Sequence, residues 1–387
     1  MKIKRIILFL ICIAVMTAVL TACKKPGPSD PSDPGDNGTP QEQLVPKTAY
    51  GVDYLFPEYE GFYAAAPNII EDGAARYVVY NTNKTKNSSD AVLAARKAVL
   101  QSGKWVYGEQ SIILEPSAGK WDSARVLNAD IVEGKFTYSG TEYKYLMAYQ
   151  GNGITAEKRF KIGLAFSNDI LGNWVKTDAP FIDYDYESEG DAYGAGQPSL
   201  LSINRQGQIM LFYAHGSSLL TSTRFVEADL SDFSVPLVSG YVTVPFAGWP
   251  VDGNPLPMIN NADFGYDPVS GYVVAVKDGF PYAGTNPATA TKVEIAKILL
   301  DDLFETDGAW RTVVPVINDL DLATQGNTGW KRVHSACMVT NSFGELSAEA
   351  LEIGFTSGKA ATDPSDESWK FYDGVHAFAV PDALRED

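Results

Sequence analysis

Asn128-Ala129-Asp130-Ile131-Val132 and Asn261-Ala262-Asp263-Phe264 each open a stretch that runs through a turn into a second apolar strand. That strand is Tyr145-Leu146-Met147-Ala148-Tyr149 after the first opening and Tyr272-Val273-Val274-Ala275-Val276 after the second. Three further segments follow the same plan. Ala66-Pro67-Asn68-Ile69-Ile70 leads to Tyr77-Val78-Val79-Tyr80, and Gln197-Pro198-Ser199-Leu200-Leu201 leads through Asn204-Arg205-Gln206-Gly207 to Ile209-Met210-Leu211-Phe212-Tyr213. Ser335-Ala336-Cys337-Met338 leads to Leu351-Glu352-Ile353-Gly354-Phe355. The equivalent positions Pro67, Ala129, Pro198, Ala262 and Ala336 lie between 62 and 74 residues apart, room for four strands and their turns. Self-similarity at such a period marks a propeller or a solenoid, and short aromatic-rich strands between Gly and Asn turns make it all-β. A single five-bladed β-propeller is therefore expected over residues 51–387.

Working outward, Gly103-Lys104-Trp105, Gly172-Asn173-Trp174 and Gly308-Ala309-Trp310 recur after the third strands, with Ser368-Trp369 as an echo. Repeated large apolar residues suit burial between neighbouring sheets. Residues 90–101 are ambiguous, because Val92, Ala95 and Val99 also fit a helix starting at Ser89, but the repeat register makes them a strand.

In a propeller the innermost strands begin near the axis, so the five openings should place equivalent residues around one mouth. Ala66, Asn128, Gln197, Asn261 and Ser335 form one ring; Asn68, Asp130, Ser199, Asp263 and Cys337 form another. Period-two alternation points the residues between them, Pro67 to Ala336, the other way. Amides, hydroxyls and carboxylates converging on a cleft can bond sugar hydroxyls, although Asn and Asp also satisfy backbone groups where strands begin. Asp130 and Asp263 are candidates for the two carboxyl groups that glycoside hydrolysis needs. Glu187, Glu189 and Asp191 precede the third opening and offer further carboxylates within reach of the mouth. Trp249, in a Gly/Pro-rich loop before the fourth opening, is a candidate for stacking on a sugar ring, with packing beneath the loop as the alternative. His334, at the fifth opening, is a candidate ligand for an axial ion or for substrate.

The ends fix the compartment. Lys2, Lys4 and Arg5 precede an apolar run over residues 6–19 that is short for a membrane span, and Leu20-Thr21-Ala22-Cys23 closes it. This reads as a lipoprotein signal, residues 1–22, with Cys23 acylated after cleavage. The Pro/Ser/Asp/Gly-rich stretch behind it makes residues 23–50 a flexible tether. We expect an exported bacterial protein held on the cell envelope bilayer through Cys23. Cys12 would leave with the signal, so Cys337 stands alone and the mature chain has no internal disulfide. The net charge of −17 becomes more negative once the three basic residues of the signal are lost, which argues against nucleic acid as a partner and suits a neutral ligand or a cation. The sequence has no phosphate-binding glycine loop, no paired-cysteine metal motif and no Gly-x-Ser-x-Gly elbow.

Residues 55–380 resemble the five-bladed glycoside hydrolases of family 43, which act on arabinose- or xylose-containing glycans. The resemblance rests on Gly61-Phe62-Tyr63-Ala64, on Ala129-Asp130-Ile131-Val132, and on residues 161–169, Lys-Ile-Gly-Leu-Ala-Phe-Ser-Asn-Asp, running into Gly172-Asn173-Trp174. It implies three carboxylates: a first-blade base, a second-blade Asp that tunes acidity and a third-blade Glu acid. Asp130 matches the second; the base position before Pro67 holds Ala66, and the acid position falls near Gly196. It also implies that His334 stands near an axial calcium. No other cofactor is called for. A site without its acid and base should bind glycan far better than it cleaves it. Three readings follow: a propeller that binds poly- or oligosaccharide without hydrolysing it, an active hydrolase with a rearranged acid/base pair drawn from Glu189, Asp191 or Asp263, and a protein-interaction scaffold.

Overall fold

The structure is a computed structural model that describes residues 50–57, 61–88, 90–153, 159–217, 220–249, 259, 261–279, 290–318, 321–322, 332–347, 350–358 and 372–381. Cys23, the tether up to residue 49, Ser89 and Ser368-Trp369 lie outside the described residues. The chain from Thr48 onward forms one compact unit, nearly all β.

The strand order repeats five times. After an edge strand β1 (Val52–Pro57), blade 1 comprises β2 (Ala65–Asp72), β3 (Ala75–Thr82) and β4 (Val92–Gln101), with β5 (Lys104–Tyr107) and β6 (Ser111–Leu114) sharing its outer edge. Blade 2 is β7 (Arg125–Tyr138), β8 (Thr141–Asn152), β9 (Lys161–Ser167) and β10 (Val175–Lys176). Blade 3 is β11 (Gly194–Ser202), β12 (Gln208–Gly216) and β13 (Thr221–Asp229), edged by β14 (Leu237–Val238) and β15 (Val242–Thr243). Blade 4 is β16 (Ala262–Asp267), β17 (Tyr272–Gly279) and β18 (Lys292–Leu299), edged by β19 (Arg311–Thr312) and β20 (Ile317–Asn318). Blade 5 is β21 (Arg332–Asn341), β22 (Ala350–Gly358) and β23 (Tyr372–Pro381), and β1 completes it as the outermost strand. The circle therefore closes by the N-terminal strand pairing antiparallel with the C-terminal one. A short parallel contact between β2 and β21, Ile69 opposite Val339, joins blades 1 and 5 into one continuous sheet. The helix alternative for residues 90–101 is excluded, because β4 pairs with β3 along its length.

Among the described residues the hydrophobic core is divided as five blades require, one cluster between each neighbouring pair. Val132, Leu146 and Phe166 of blade 2 meet Leu200 and Leu211 of blade 3 in one. In another, Val274 and Ile295 of blade 4 meet Met338 and Phe355 of blade 5. Phe56 on β1 and Ile69, Val78 and Tyr80 of blade 1 pack on Cys337 and Val375 of blade 5. Trp174 packs on the cluster between blades 1 and 2, and Trp310 is buried between blades 3 and 4. Trp105 lies instead on the outer strand of blade 1 beneath the guanidinium of Arg76, which bridges to Glu352 of blade 5.

The five openings share a backbone feature. Ala66, Asn128, Gln197, Asn261 and Ser335 all have left-handed φ, between 47° and 53°. Four of the inner strands show the matching break in register, between Ala65 and Asn68, Leu127 and Asp130, Gly196 and Ser199, and His334 and Cys337. Each is a β-bulge, in which one extra residue bends the strand and re-aims its side chains. Simple alternation is thereby lost, and Pro67, Ala129, Pro198, Ala262 and Ala336 line the axial channel together with the residues on either side of them. That corrects the expectation that they face away.

An L-residue in this conformation costs about 1–2 kcal/mol, a cost glycine largely escapes. Ala66 has no side-chain hydrogen bond to offset it. Ala66→Gly should therefore stabilise the fold by about 1 kcal/mol and raise the thermal midpoint by a few degrees, measured by scanning calorimetry; a lower midpoint would count against the bulge at this position.

Candidate functional site

The bulges leave backbone N–H groups pointing toward the neighbouring blade, and side chains from the middle strands receive them. Thr356 of blade 5 accepts from Ala66 N of blade 1 at 3.0 Å, and Asn81 of blade 1 accepts from Asn128 N of blade 2 at 2.7 Å. Gln150 of blade 2 accepts from Gln197 N of blade 3 at 2.9 Å, and Asp278 of blade 4 accepts from Ala336 N of blade 5 at 3.2 Å. Blade 3 carries Ala214 at the equivalent place on β12, and the amide oxygen of Gln197 takes over, accepting from Asn261 N of blade 4 at 2.6 Å. The same ring is tied side chain to side chain. Asn81 Nδ2 donates to Asn128 Oδ1 at 2.7 Å, Asn128 Nδ2 donates to Gln150 Oε1 at 3.1 Å, and Gln197 Nε2 donates to Asn261 Oδ1.

A second belt lies deeper. Asp130 accepts from Asn68 Nδ2 at 2.7 Å and Leu200 N at 2.6 Å, so blades 1, 2 and 3 meet on one carboxylate. Asp263 accepts from Ser199 Oγ and from Met338 N, each at 2.8 Å, joining blades 3, 4 and 5. Burial pushes both carboxyls up, Asp263 to about 6 and Asp130 well above the ordinary range, with nearby Asp263 adding to the burial of Asp130. The backbone N–H groups aimed at them pull the other way without cancelling the effect.

Two connected spaces result. A narrow axial channel of about 60 Å³ is lined by the first ring and by Asn68, Asp130, Asp263 and Cys337 of the second, whose remaining member, Ser199, is buried outside it. Above it opens a mouth of about 250 Å³ lined by Asn128, Gln197, Asn261, His334 and Ser335 and also by Tyr63, Asn81, Arg125, Gln150 and Tyr193. The last five were not singled out from the sequence. Asn81 and Gln150 carried a usable signal, since each directly follows the tyrosine that ends the recurring second strand. Tyr63, Arg125 and Tyr193 sit just ahead of inner strands or at their first residues, where no repeat marks them.

Other candidates fall elsewhere. Trp249 is buried, donates from Nε1 to Glu294 at 2.8 Å and meets Trp310 edge to face, so its ring belongs to the core between blades 3 and 4 and offers no face to a sugar. Glu187 and Glu189 lie on a single helical turn, α1 (Tyr186–Glu189), capped by Asp185. Glu189 lies 3.0 Å from His215 Nε2 on β12 and Asp191 2.9 Å from Arg159 Nε just ahead of β9, and neither lines the channel or the mouth. His334 does face the mouth, with Nδ1 2.5 Å from Asp278 Oδ2. The implied calcium would need about six to eight oxygen ligands. His334 supplies nitrogen, Asp278 is already engaged with His334 and Ala336 N, and no three His, Cys, Asp or Glu among the described residues are grouped to hold a metal. The donor set does not fit that ion.

The position of the implied third-blade acid is filled. The space in front of Gly196 is occupied by two side-chain ends: a Cβ there would overlap the Gln150 amide and meet the Tyr193 hydroxyl at 2.7 Å, and that hydroxyl donates to Gln150 Oε1 at 2.9 Å.

No family model matches the chain, and no curated protein matches it. Its fold is nonetheless shared with solved structures. It superposes on a family 117 glycoside hydrolase, Zg3597 of the marine bacterium Zobellia galactanivorans, with a TM-score of 0.57 at 13% identity over 88% of this chain and 92% of that one. It superposes on the catalytic domain of a Coprinopsis cinerea GH62 α-L-arabinofuranosidase with a TM-score of 0.55 at 10% identity, covering 86% and 97%. The α-L-arabinofuranosidase PaAbf62A of Podospora anserina, solved with cellotriose, gives 0.53 at 12%, covering 86% and 98%. The architecture is thus the propeller-like fold of glycoside hydrolases.

The two raised carboxyls give a pH signature. Near pH 5 the folded chain holds a proton that the unfolded chain, titrating near 3.8, has lost, so this contribution to stability is complete below about pH 4 and lost as pH rises through about 6. Asp263→Asn, which mimics the protonated acid, should therefore gain on the wild type in thermal midpoint as pH is raised from 4 to 7; a constant offset between the two curves would refute the assignment.

Proposed function

We propose that this propeller binds carbohydrate in its axial mouth without hydrolysing it, with arabinose- or xylose-containing glycans as the ligand class. One observation carries the reading: the place where a third-blade acid would stand is taken by Gln150 and Tyr193 packed over Gly196. Ala66 stands at the implied base position and cannot accept a proton. Asp130 and Asp263 are tied to backbone N–H groups of neighbouring blades, and Asp278 is tied to His334 and Ala336 N. General acid and base catalysis contribute about 10²- to 10⁴-fold each, so a site lacking both keeps recognition and loses turnover. The neighbouring arabinofuranosidase folds support the ligand class.

The purified protein should be retarded in affinity gels containing arabinan or arabinoxylan and release no sugar from either. Release of arabinose or xylose would overturn the binding-only reading in favour of a rearranged active site, and absence of retardation on any polysaccharide would favour a scaffold. Gln150→Ala, which removes the hub of the mouth, should weaken retention about tenfold.

The same reading places the protein on the bacterial envelope, exported and anchored by lipid on Cys23, with the Pro/Ser/Asp/Gly-rich stretch as its tether. Mass spectrometry of the membrane fraction should find acylated Cys23 as the N-terminal residue, and Cys23→Ala should move the protein into the soluble fraction; an unmodified wild-type chain would refute the anchor.

A further inference from the structure

The cation in the mouth is the feature the reading above leaves unused. Arg125 is the first residue of β7, held by pairing with Asn152 on one side and by a bridge to Ala91 of blade 1 on the other. It lines the mouth beside Tyr63 and Asn128. Its Nε is buried and has no hydrogen-bond partner. Nothing among the described residues compensates its charge: burial alone pulls the guanidinium down, and Tyr63, not a carboxylate, is what opposes it.

The contrast with its surroundings is informative. Elsewhere Arg76 pairs with Glu71 and Glu352, Arg159 with Asp191 and Arg205 with Glu345, Arg96 and Arg311 donate to neutral oxygens of Tyr80, Gly108 and Tyr272, and Arg224, also unpartnered at Nε, lies over the Tyr241 ring; of these arginines none but Arg125 lines the mouth. The polar groups that share the mouth are occupied too, Asn81 with Asn128, Tyr193 with Gln150 and His334 with Asp278. A half-buried guanidinium with vacant donors loses solvation in the apo protein and recovers it only when an anion arrives. Its planar fork matches two coplanar oxygens, the geometry of a carboxylate.

We propose that the mouth selects an acidic sugar, a uronic acid unit whose carboxylate pairs with Arg125. The proposal rests on the carbohydrate reading and narrows it. A net charge of −17 does not oppose it at close range, because charges separated by more than about 8 Å are largely screened at physiological ionic strength.

The test uses the mature protein in affinity gels with glucuronoxylan, the same polymer after reduction of its carboxyl groups, and a sulfated xylan. Wild type should hold glucuronoxylan about tenfold more tightly than the reduced polymer. Arg125→Gln should bring that ratio to about one, and Arg125→Lys, which keeps the charge and loses the fork, should leave it in between, with thermal midpoints confirming that both variants are folded. Equal retention of native and reduced polymer by wild type would overturn the acidic-sugar proposal while leaving carbohydrate binding intact. Retention of neither would defeat the carbohydrate reading beneath it. Sulfated xylan held as tightly as glucuronoxylan, with the same dependence on Arg125, would overturn the carboxylate assignment.

Discussion

Five backbone amides at the left-handed openings of the inner strands point toward the neighbouring blade, and each finds an acceptor there. The bulge residues are strained by about 1–2 kcal/mol apiece, and a buried amide left unpaired would add about 1–3 kcal/mol more. Against a net stability of about 5–15 kcal/mol for a whole domain, such terms decide whether neighbouring blades dock in register. Thr356, Asn81, Gln150, Gln197 and Asp278 supply the acceptors, and the fourth of them works from its own bulge because Ala214 cannot. The apolar clusters between blades provide most of the burial but are indifferent to small slips. The polar belt fixes the register.

That division explains the state of the site. A carboxylate at the axis can be reactive only if water and substrate reach it, and here Asp130 and Asp263 lie beneath the mouth as junctions of three blades each. Removing either would leave backbone N–H groups of Leu200 or Met338 without a partner. Their conjunction at the axis therefore has a sufficient structural cause, and the chemistry of the mouth belongs to the layer above them, where Tyr63, Arg125, Tyr193 and His334 face open space.

The repeat made the blade count legible from sequence because a strand-turn-strand unit must recur wherever an equivalent sheet is built. Both rings were legible too, since Asn128 and Asp130, or Asn261 and Asp263, occupy the same place in their copies. What sequence could not carry was which ring stands above the other, because the bulge that re-aims these side chains is a backbone event with no residue signature: Ala, Asn, Gln and Ser all occupy it. Closure by β1 was equally hidden, since Val52–Pro57 precedes blade 1 in the sequence but pairs with β23 of blade 5 at the other end of the chain. Trp249 left two readings open in the sequence, stacking on a sugar and packing beneath its loop, and the second holds, with Glu294 and Trp310 keeping its ring inside the core.

On the proposed binding-only reading, Arg125 and Gln150 together set the character of the mouth. In a cleaving site the opposed acid and base leave the cleft rich in carboxyl oxygen, and a cation placed among them would be neutralised by its neighbours. Here the acid's space is filled by an amide and a phenol, both mutually bonded, and the base's by a methyl group. The consequence is electrostatic, because among the described residues no carboxylate pairs with the guanidinium of Arg125 in the mouth. On the proposed reading, a mouth with donors to give and no proton to move suits an anionic unit of a glycan, and the side chains that stand at the implied acid and base positions favour the same preference.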